Sequence, residues 1–326
     1  MPCWPATRSP TPSFRFGVAL AATCLACTSS PPPQPTSEPS APRAPASAAP
    51  SVATEPSTAA SAGAPEPSAR CGELDCRTFD DPRKAFEVVL DKKPLVLGIG
   101  EAHAQKGSEA IDSTTKRFTG LLLPVLQGKA SFLAVELMMP NPKCQKETKQ
   151  VAKQQKPVTE PQAETNQNEY VVLGKKAKEL GIVPDLLRPS CEDLTRITQA
   201  GAGDIGVMLE TIAKLTREVA KTELDRNKKA GKELTVVAYG GALHNDASPR
   251  AGRETWSYGP ELAKATGDRY VELDLIVPEF IKDTESWTSL PWYAHYDKAK
   301  LGAKTVLFHP SPSSYVLIFP VTTVTE

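Results

Sequence analysis

The feature that most constrains the fold is a set of short apolar runs in which hydrophobic and polar residues do not alternate. Pro94-Leu-Val-Leu-Gly-Ile-Gly100 and Ser131-Phe-Leu-Ala-Val-Glu-Leu137 are apolar at successive positions. A strand with one face in water turns polar at every second residue. A strand covered on both faces does not, and double coverage is the habit of parallel sheets flanked by helices. Between the two runs a helical stretch passes through Phe118, Leu121, Leu122, Leu123, Val125 and Leu126, so the chain reads strand, helix, strand, a βαβ unit. Upstream, Asp80-Asp81-Pro82 opens a helix with Ala85, Phe86, Val89 and Leu90 on one face.

The alternation continues downstream. Tyr170 to Leu180 reads as helix, and Ile182 to Leu187 as a short strand weakened by Pro184. Asp204 to about Lys229 places Ile205, Met208, Leu209, Ile212, Leu215 and Val219 at helical spacing. Glu233 to Tyr239 is a β-rich run, followed by a helix around Pro260 to Ala265 and a strand at Tyr270 to Val277. Thr305-Val-Leu-Phe308 and Tyr315-Val-Leu-Ile-Phe319 flank His309-Pro-Ser-Pro and predict a hairpin on the sheet's edge. The expectation is one α/β domain over residues 71–326: a mostly parallel central sheet flanked by helices, with a C-terminal edge hairpin. Residues 141–167, rich in Lys, Gln and Glu, read as a polar insert, partly helical.

The first 70 residues are a different material. Arg8 and Arg15 precede the apolar stretch Phe16 to Cys27, too short to span a bilayer and suited to a signal-peptide core. Leu25-Ala26-Cys27 resembles a bacterial lipoprotein cleavage box, although Cys24 holds the position usually given to leucine. Residues 1–27 are therefore read as a lipoprotein signal ending at Cys27, with ordinary cleavage as the alternative. The CxxC spacing of Cys24 and Cys27 is set aside as a redox or metal motif, because a targeting segment has no fold to hold the pair. Residues 28–70, made of Pro, Ala, Ser and Thr with no aromatic, lack the apolar surface to offset their ordering entropy and read as a disordered tether. The expected location is the bacterial envelope, reached by export, with the domain held to a membrane by its lipid.

Disulfides persist in such a compartment. Cys71, Cys76, Cys144 and Cys191 remain after cleavage, and four cysteines allow three pairings. Proximity favours Cys71 with Cys76, leaving Cys144 with Cys191; four buried thiols are the alternative. Lys plus Arg and Asp plus Glu balance at 38 each, and no basic run stands out, so a nucleic-acid-coating surface is not expected.

In open α/β sheets, ligands bind outside the carboxyl ends of the strands. Three such ends carry reactive groups: Glu101 and His103 after the first strand, Glu136 near the end of the second, and His244 after the run ending at Tyr239. The chain has only 4 histidines, and two of them share one spelling, Gly100-Glu-Ala-His103 and Gly241-Ala-Leu-His244. Glycine lets backbone turn sharply and approach closely where a strand meets a cleft. Histidine supplies a base or a metal ligand near neutral pH, and nearby carboxylates orient it, share a metal with it, or act as acid and base. Either motif alone reads as a hydrogen-bonded structural histidine; the pair, with Glu136 between, reads as a site.

Two Gly-x-x-His motifs with a strand-end glutamate between them resemble the superfamily that joins ChaN-type haem-uptake lipoproteins, Tiki-type metalloproteases, TraB/PrgY proteins and erythromycin esterases. The spelling Leu97-Gly-Ile-Gly-Glu-Ala-His103, then Ala134-Val-Glu136-Leu-Met, is most similar to the ChaN branch, over roughly residues 90–280. The resemblance implies that Glu101, His103, Glu136 and His244 activate water, directly or through a divalent transition metal that they ligate. It implies alternatively a haem- or iron-binding uptake protein without turnover, with Tyr239 as the candidate iron ligand. A degenerate envelope scaffold is the third reading. The leading expectation is a metal-assisted hydrolase of peptidase or esterase type, its partner a small-molecule or peptide substrate.

Other signals are read as background. Gly201-Ala-Gly203-Asp-Ile-Gly206 spells GxGxxG, but a dinucleotide fingerprint needs a strand immediately before it. His295 and His309 are assigned to packing or surface, and Arg188 to a surface ion pair. Trp287, Trp292, Tyr293 and Tyr296 are expected to cover the sheet or rim a pocket.

Overall fold

The structure, a computed structural model, describes residues 69–201 and 204–323; the signal segment with Cys27 and the tether as far as residue 68 lie outside the described residues. Among the described residues nine strands form one sheet: β1 Ala69–Cys71, β2 Leu74–Phe79, β3 Val96–Glu101, β4 Ala130–Met138, β5 Val183–Leu187, β6 Thr235–Gly241, β7 Tyr270–Ile276, β8 Thr305–Ser311 and β9 Ser314–Ile318. They lie in the order β1-β2-β8-β9-β7-β3-β6-β4-β5. The six strands from β9 to β5 run parallel, and β8, β2 and β1 are antiparallel to their neighbours. The fold is the expected α/β class. The hairpin β8–β9 stands at the antiparallel end of the sheet, and a second hairpin, β1–β2, which the sequence pattern did not announce, extends the sheet past it.

The α-helices among the described residues are α1 Pro82–Leu90, α2 Thr114–Arg117, α3 Gln145–Thr159, α4 Asn166–Glu179, α5 Cys191–Ala200, α6 Gly206–Lys229, α7 Gly259–Thr266, α8 Glu285–Thr288 and α9 Lys298–Leu301. α1 starts where expected: Asp81 caps it by accepting the Arg83 N–H, and Pro82, which has no N–H to lose, takes the first turn. α2 runs on through a π turn, Phe118–Leu122, and a 3-10 turn, Leu123–Leu126. α5 carries a full capping box between Ser190 and Asp193.

The two faces of the sheet explain its unalternating sequence. Leu97 and Ile99 of β3, Leu133 and Val135 of β4, and Val237 and Tyr239 of β6 pack on one face with residues of α1 and α4. Val96, Ala134, Val236 and Ala238 pack on the other, against Ala220 of α6 and Leu262 of α7. Each such aliphatic side chain taken from water contributes about 1.5–3 kcal/mol, so both faces favour the sandwich.

Both disulfides are formed. Cys71–Cys76 closes the β1–β2 turn, and Cys144–Cys191 ties the N-cap of α3 to the first residue of α5. The polar insert is therefore built largely of one helix, α3, strapped to its neighbour. Before Gly201 stands α5 and not a strand, which removes the dinucleotide reading; Ala202 and Gly203 of that motif lie outside the described residues. No helix among the described residues is long and apolar enough to cross a membrane.

Candidate active site

The carboxyl ends of β3, β4 and β6 bring Glu101, His103, Glu136 and His244 to one cleft. Glu101, the last residue of β3, is 4% exposed. Its Oε1 accepts from the Tyr170 hydroxyl at 2.7 Å and from His103 Nδ1 at 2.9 Å. Its Oε2 accepts from the hydroxyls of Tyr239 and Thr115, each at 2.7 Å. A carboxylate offers about four acceptor positions, and here all are filled. Burial pushes the Glu101 carboxyl up, but the imidazole and the two phenols prevail and hold it below the usual carboxylate range. The same burial, with the charge of Glu101, keeps both phenols protonated far above their ordinary value. Glu101 is a fixed anion held by fixed donors.

With Nδ1 on Glu101, His103 has one nitrogen left. Its Nε2 faces Gly241, 3.3 Å from where a Cβ there would sit; Glu136 Oε2 is 3.7 Å from the same point. Gly241 thus keeps open the approach between an imidazole and a carboxylate. Burial alone would lower the His103 imidazole, but the hydrogen bond and charge of Glu101, with Glu136 behind them, raise it to about 8.

Glu136 and His244 form the second pair. Glu136 Oε2 accepts the Gly241 N–H at 2.6 Å, and Oε1 lies 3.4 Å from His244 Nε2. His244 Nδ1 donates to the Trp256 carbonyl at 2.7 Å. Burial works against both charges, yet each holds the other ionised: His244 is raised and Glu136 lowered from their ordinary values. Glycine is required beneath them, since a Cβ on Gly240 would fall 2.1 Å from Glu136 Oε2 and 2.7 Å from its Cβ. At Gly100 a Cβ would strike Asn245 Oδ1 and Asp274 Oδ1, both at 2.5 Å.

The cleft has a volume of about 1120 Å³. Val151 and Val158 of α3, Leu194 of α5, Met208 and Ile212 of α6, Met138 and Met139 line it, as do Trp287, Leu290 and Trp292. The chain's three methionines after Met1 all lie on this cleft, where their flexible thioethers suit an irregular apolar ligand.

Several residues fall elsewhere. Tyr239 is buried and does not line the cleft; it stacks on Phe118 and gives its hydroxyl to Glu101, which leaves no open approach for a haem iron. Among the described residues no three His, Cys, Asp or Glu side chains stand where one ion could be held. Glu101 has no free lone pair to offer a metal, whereas His103 and His244, each held through Nδ1, keep Nε2 as the free ring nitrogen beside Glu136. His309 stacks on Tyr315, His295 packs over the turn at Gly72, and neither lines the cleft. Arg188 is an exposed partner of Asp185. Sequence reading passed over Tyr170, Thr115 and Gly240. Tyr170 reads locally as an ordinary helix residue, Thr115 falls in the polar stretch before the helix through Phe118, and Gly240 reads as a neighbour of the motif.

No family model and no curated protein matches the chain. Among solved structures, an erythromycin esterase mutant in its open conformation is similar to it, at 9% identity and a TM-score of 0.37, covering 77% of this chain and 98% of that one. Likeness at that level carries no argument about activity or residue roles.

Proposed function

We propose that the protein is a hydrolase in which the Glu101–His103 dyad activates water, without a metal, for attack on a carbonyl ester bond of a bulky, largely apolar substrate. The observation that supports this reading is the saturation of Glu101. A buried carboxylate fixed by three hydroxyls has no further ligand to bind, and its one effect on the cleft is to set the tautomer and charge of His103. Nε2 of His103 takes a proton from water as the water oxygen bonds to the carbonyl carbon. The carbon–oxygen bond to the leaving group then breaks, and the imidazolium returns the proton to the departing oxygen. Glu101 stays ionised throughout and stabilises the imidazolium. The Glu136–His244 pair sets a second anion across the water's path and orients it. Export, and anchoring through Cys27, belong to this proposal; the two disulfides are consistent with an oxidising compartment.

The test is a panel of acyl esters graded in bulk and hydrophobicity, assayed with chelator present. Turnover that survives the chelator and falls by about 10²–10⁴ in His103→Gln is expected. Turnover unchanged in His103→Gln, or abolished by the chelator, would remove the proposal.

A further inference from the structure

α3 turns one whole face to the cleft. Thr148, Val151, Ala152, Gln155, Val158 and Thr159 line it, positions three or four apart that make a continuous helical stripe. Among the residues of α3 only Val151 is buried. A helix ordinarily spends its apolar stripe on the core; α3 leaves most of its own facing the cleft. Val158 is exposed there, and so are Met139 and Leu243 on the same cleft. Exposed apolar side chains gathered at one concavity mark a ligand groove rather than scattered surface.

The stripe is graded along the helix. Val158 is 38% exposed, and Val151, two turns back, is 3% exposed. Val151 meets Leu194 of α5 and Met208 and Ile212 of α6 in one buried cluster, which closes the groove at that end. Both ends of α3 are fastened. Cys144–Cys191 ties its N-cap to α5. Past its C-terminus, the Ala104 carbonyl accepts the Ala163 N–H at 2.8 Å and Asn166 Nδ2 at 3.1 Å, and the Lys106 N–H donates to the Pro161 carbonyl at 2.9 Å. The segment that carries His103 is thus stitched to the chain leaving α3, so the groove starts beside the base and ends at Val151. The axis from Thr159 back to Val151 spans about 12 Å, the length of roughly ten extended methylenes. A rigid ring system does not follow a groove that narrows from an open mouth to a sealed end. A flexible unbranched chain does, and the thioethers beside it adapt to such a chain.

We infer that α3 is the ruler of an acyl groove: the substrate carries an unbranched hydrocarbon chain of about ten carbons, laid along α3 with its ester at His103 and its methyl end at Val151. This rests on the cleft being the substrate site, and it narrows the apolar substrate to a long-chain acyl ester.

The probes are p-nitrophenyl esters of unbranched acids from acetate to palmitate, and primary alcohols from butanol to decanol titrated calorimetrically into the full protein. Each added methylene should raise kcat/KM for the esters, and affinity for the alcohols, about threefold to fourfold. The ester series should level off at about ten carbons. Leu194→Ala, which empties space at the sealed end, should move that limit outward by about two carbons. Val158→Asn, at the exposed mouth where the fold is not at stake, should cost decanoate about tenfold more than acetate. No dependence on chain length in either series would overturn the inference. So would a limit that stays in place in Leu194→Ala while Val158→Asn treats all chains alike. The alcohols need no turnover, which separates the two readings. Alcohol affinity that climbs with length while no ester is hydrolysed removes the dyad and keeps the groove. Hydrolysis indifferent to chain length, with alcohols that bind without an increment, removes the groove and keeps the dyad.

Discussion

Replacing Glu101 by glutamine changes one atom and removes the charge on which the site is organised. Four donors converge on the carboxylate, from Thr115, Tyr170, Tyr239 and His103. A carboxamide accepts on one oxygen only, so its NH₂ must face either two hydroxyls or the Tyr170–His103 side. In the second orientation it donates to His103 Nδ1, which puts the ring proton on Nε2 and blocks the base. In the first, the tautomer survives but the anion is gone. His103 then loses what lifts it from its ordinary 6.5 to about 8, a difference that corresponds to about 2 kcal/mol. Burial would carry it lower still. In the wild type, activity should rise with pH through about 8 as Nε2 deprotonates. In Glu101→Gln the midpoint should move down by at least about 1.5 pH units, with the plateau rate falling by about 10²–10⁴. The assays are a pH–rate profile of kcat/KM and an NMR titration of the His103 ring protons. An unchanged midpoint and plateau would refute the reasoning, because the carboxylate would then have no hold on the imidazole.

Two further outcomes follow from packing. Gly240→Ala places a Cβ 2.7 Å from the Cβ of Glu136, which cannot swing away. It should cost about 1–3 kcal/mol in urea unfolding, with loss of activity. Gly174→Ala, whose added Cβ meets nothing closer than 3.7 Å within α4, should instead stabilise slightly. The double change Cys144→Ser and Cys191→Ser frees a link spanning 47 residues of chain and should lower stability by about 2–4 kcal/mol. Because α3 and α5 wall the cleft, KM for bulky esters should rise more than kcat falls; a kcat effect alone would argue against that wall as the substrate contact.

Much of the architecture was legible because it rests on periodicity. Val96 to Gly100 and Val236 to Gly240 are apolar at successive positions since helices cover both faces, and that alone separates this sheet from a half-exposed one. That Glu101, His103, Glu136 and His244 share one cleft was legible for a related reason. A strand that ends in Glu101 or runs into Gly241-Ala-Leu-His244 leaves polar groups where only a cleft can take them. Cysteine proximity, with the expectation of an oxidising compartment, predicted the pairings Cys71–Cys76 and Cys144–Cys191 that the structure holds. The hairpin β1–β2 was not legible: at three and six residues its strands are too short to show a period. Tyr170 and Thr115 reach Glu101 across 69 and 14 residues of chain, a relation that local spacing does not carry. With them went the distinction between a carboxylate free to hold a metal and one already saturated.

The central claim is that His103 acts as the base at the cleft. Its most direct measurement is chemical rescue: ester hydrolysis by His103→Gly with imidazole added at increasing concentration and at several pH values. The account predicts an inactive variant whose activity returns with free-base imidazole and saturates as the vacated space fills. Activity without imidazole, or none at any concentration in a folded variant, would contradict it.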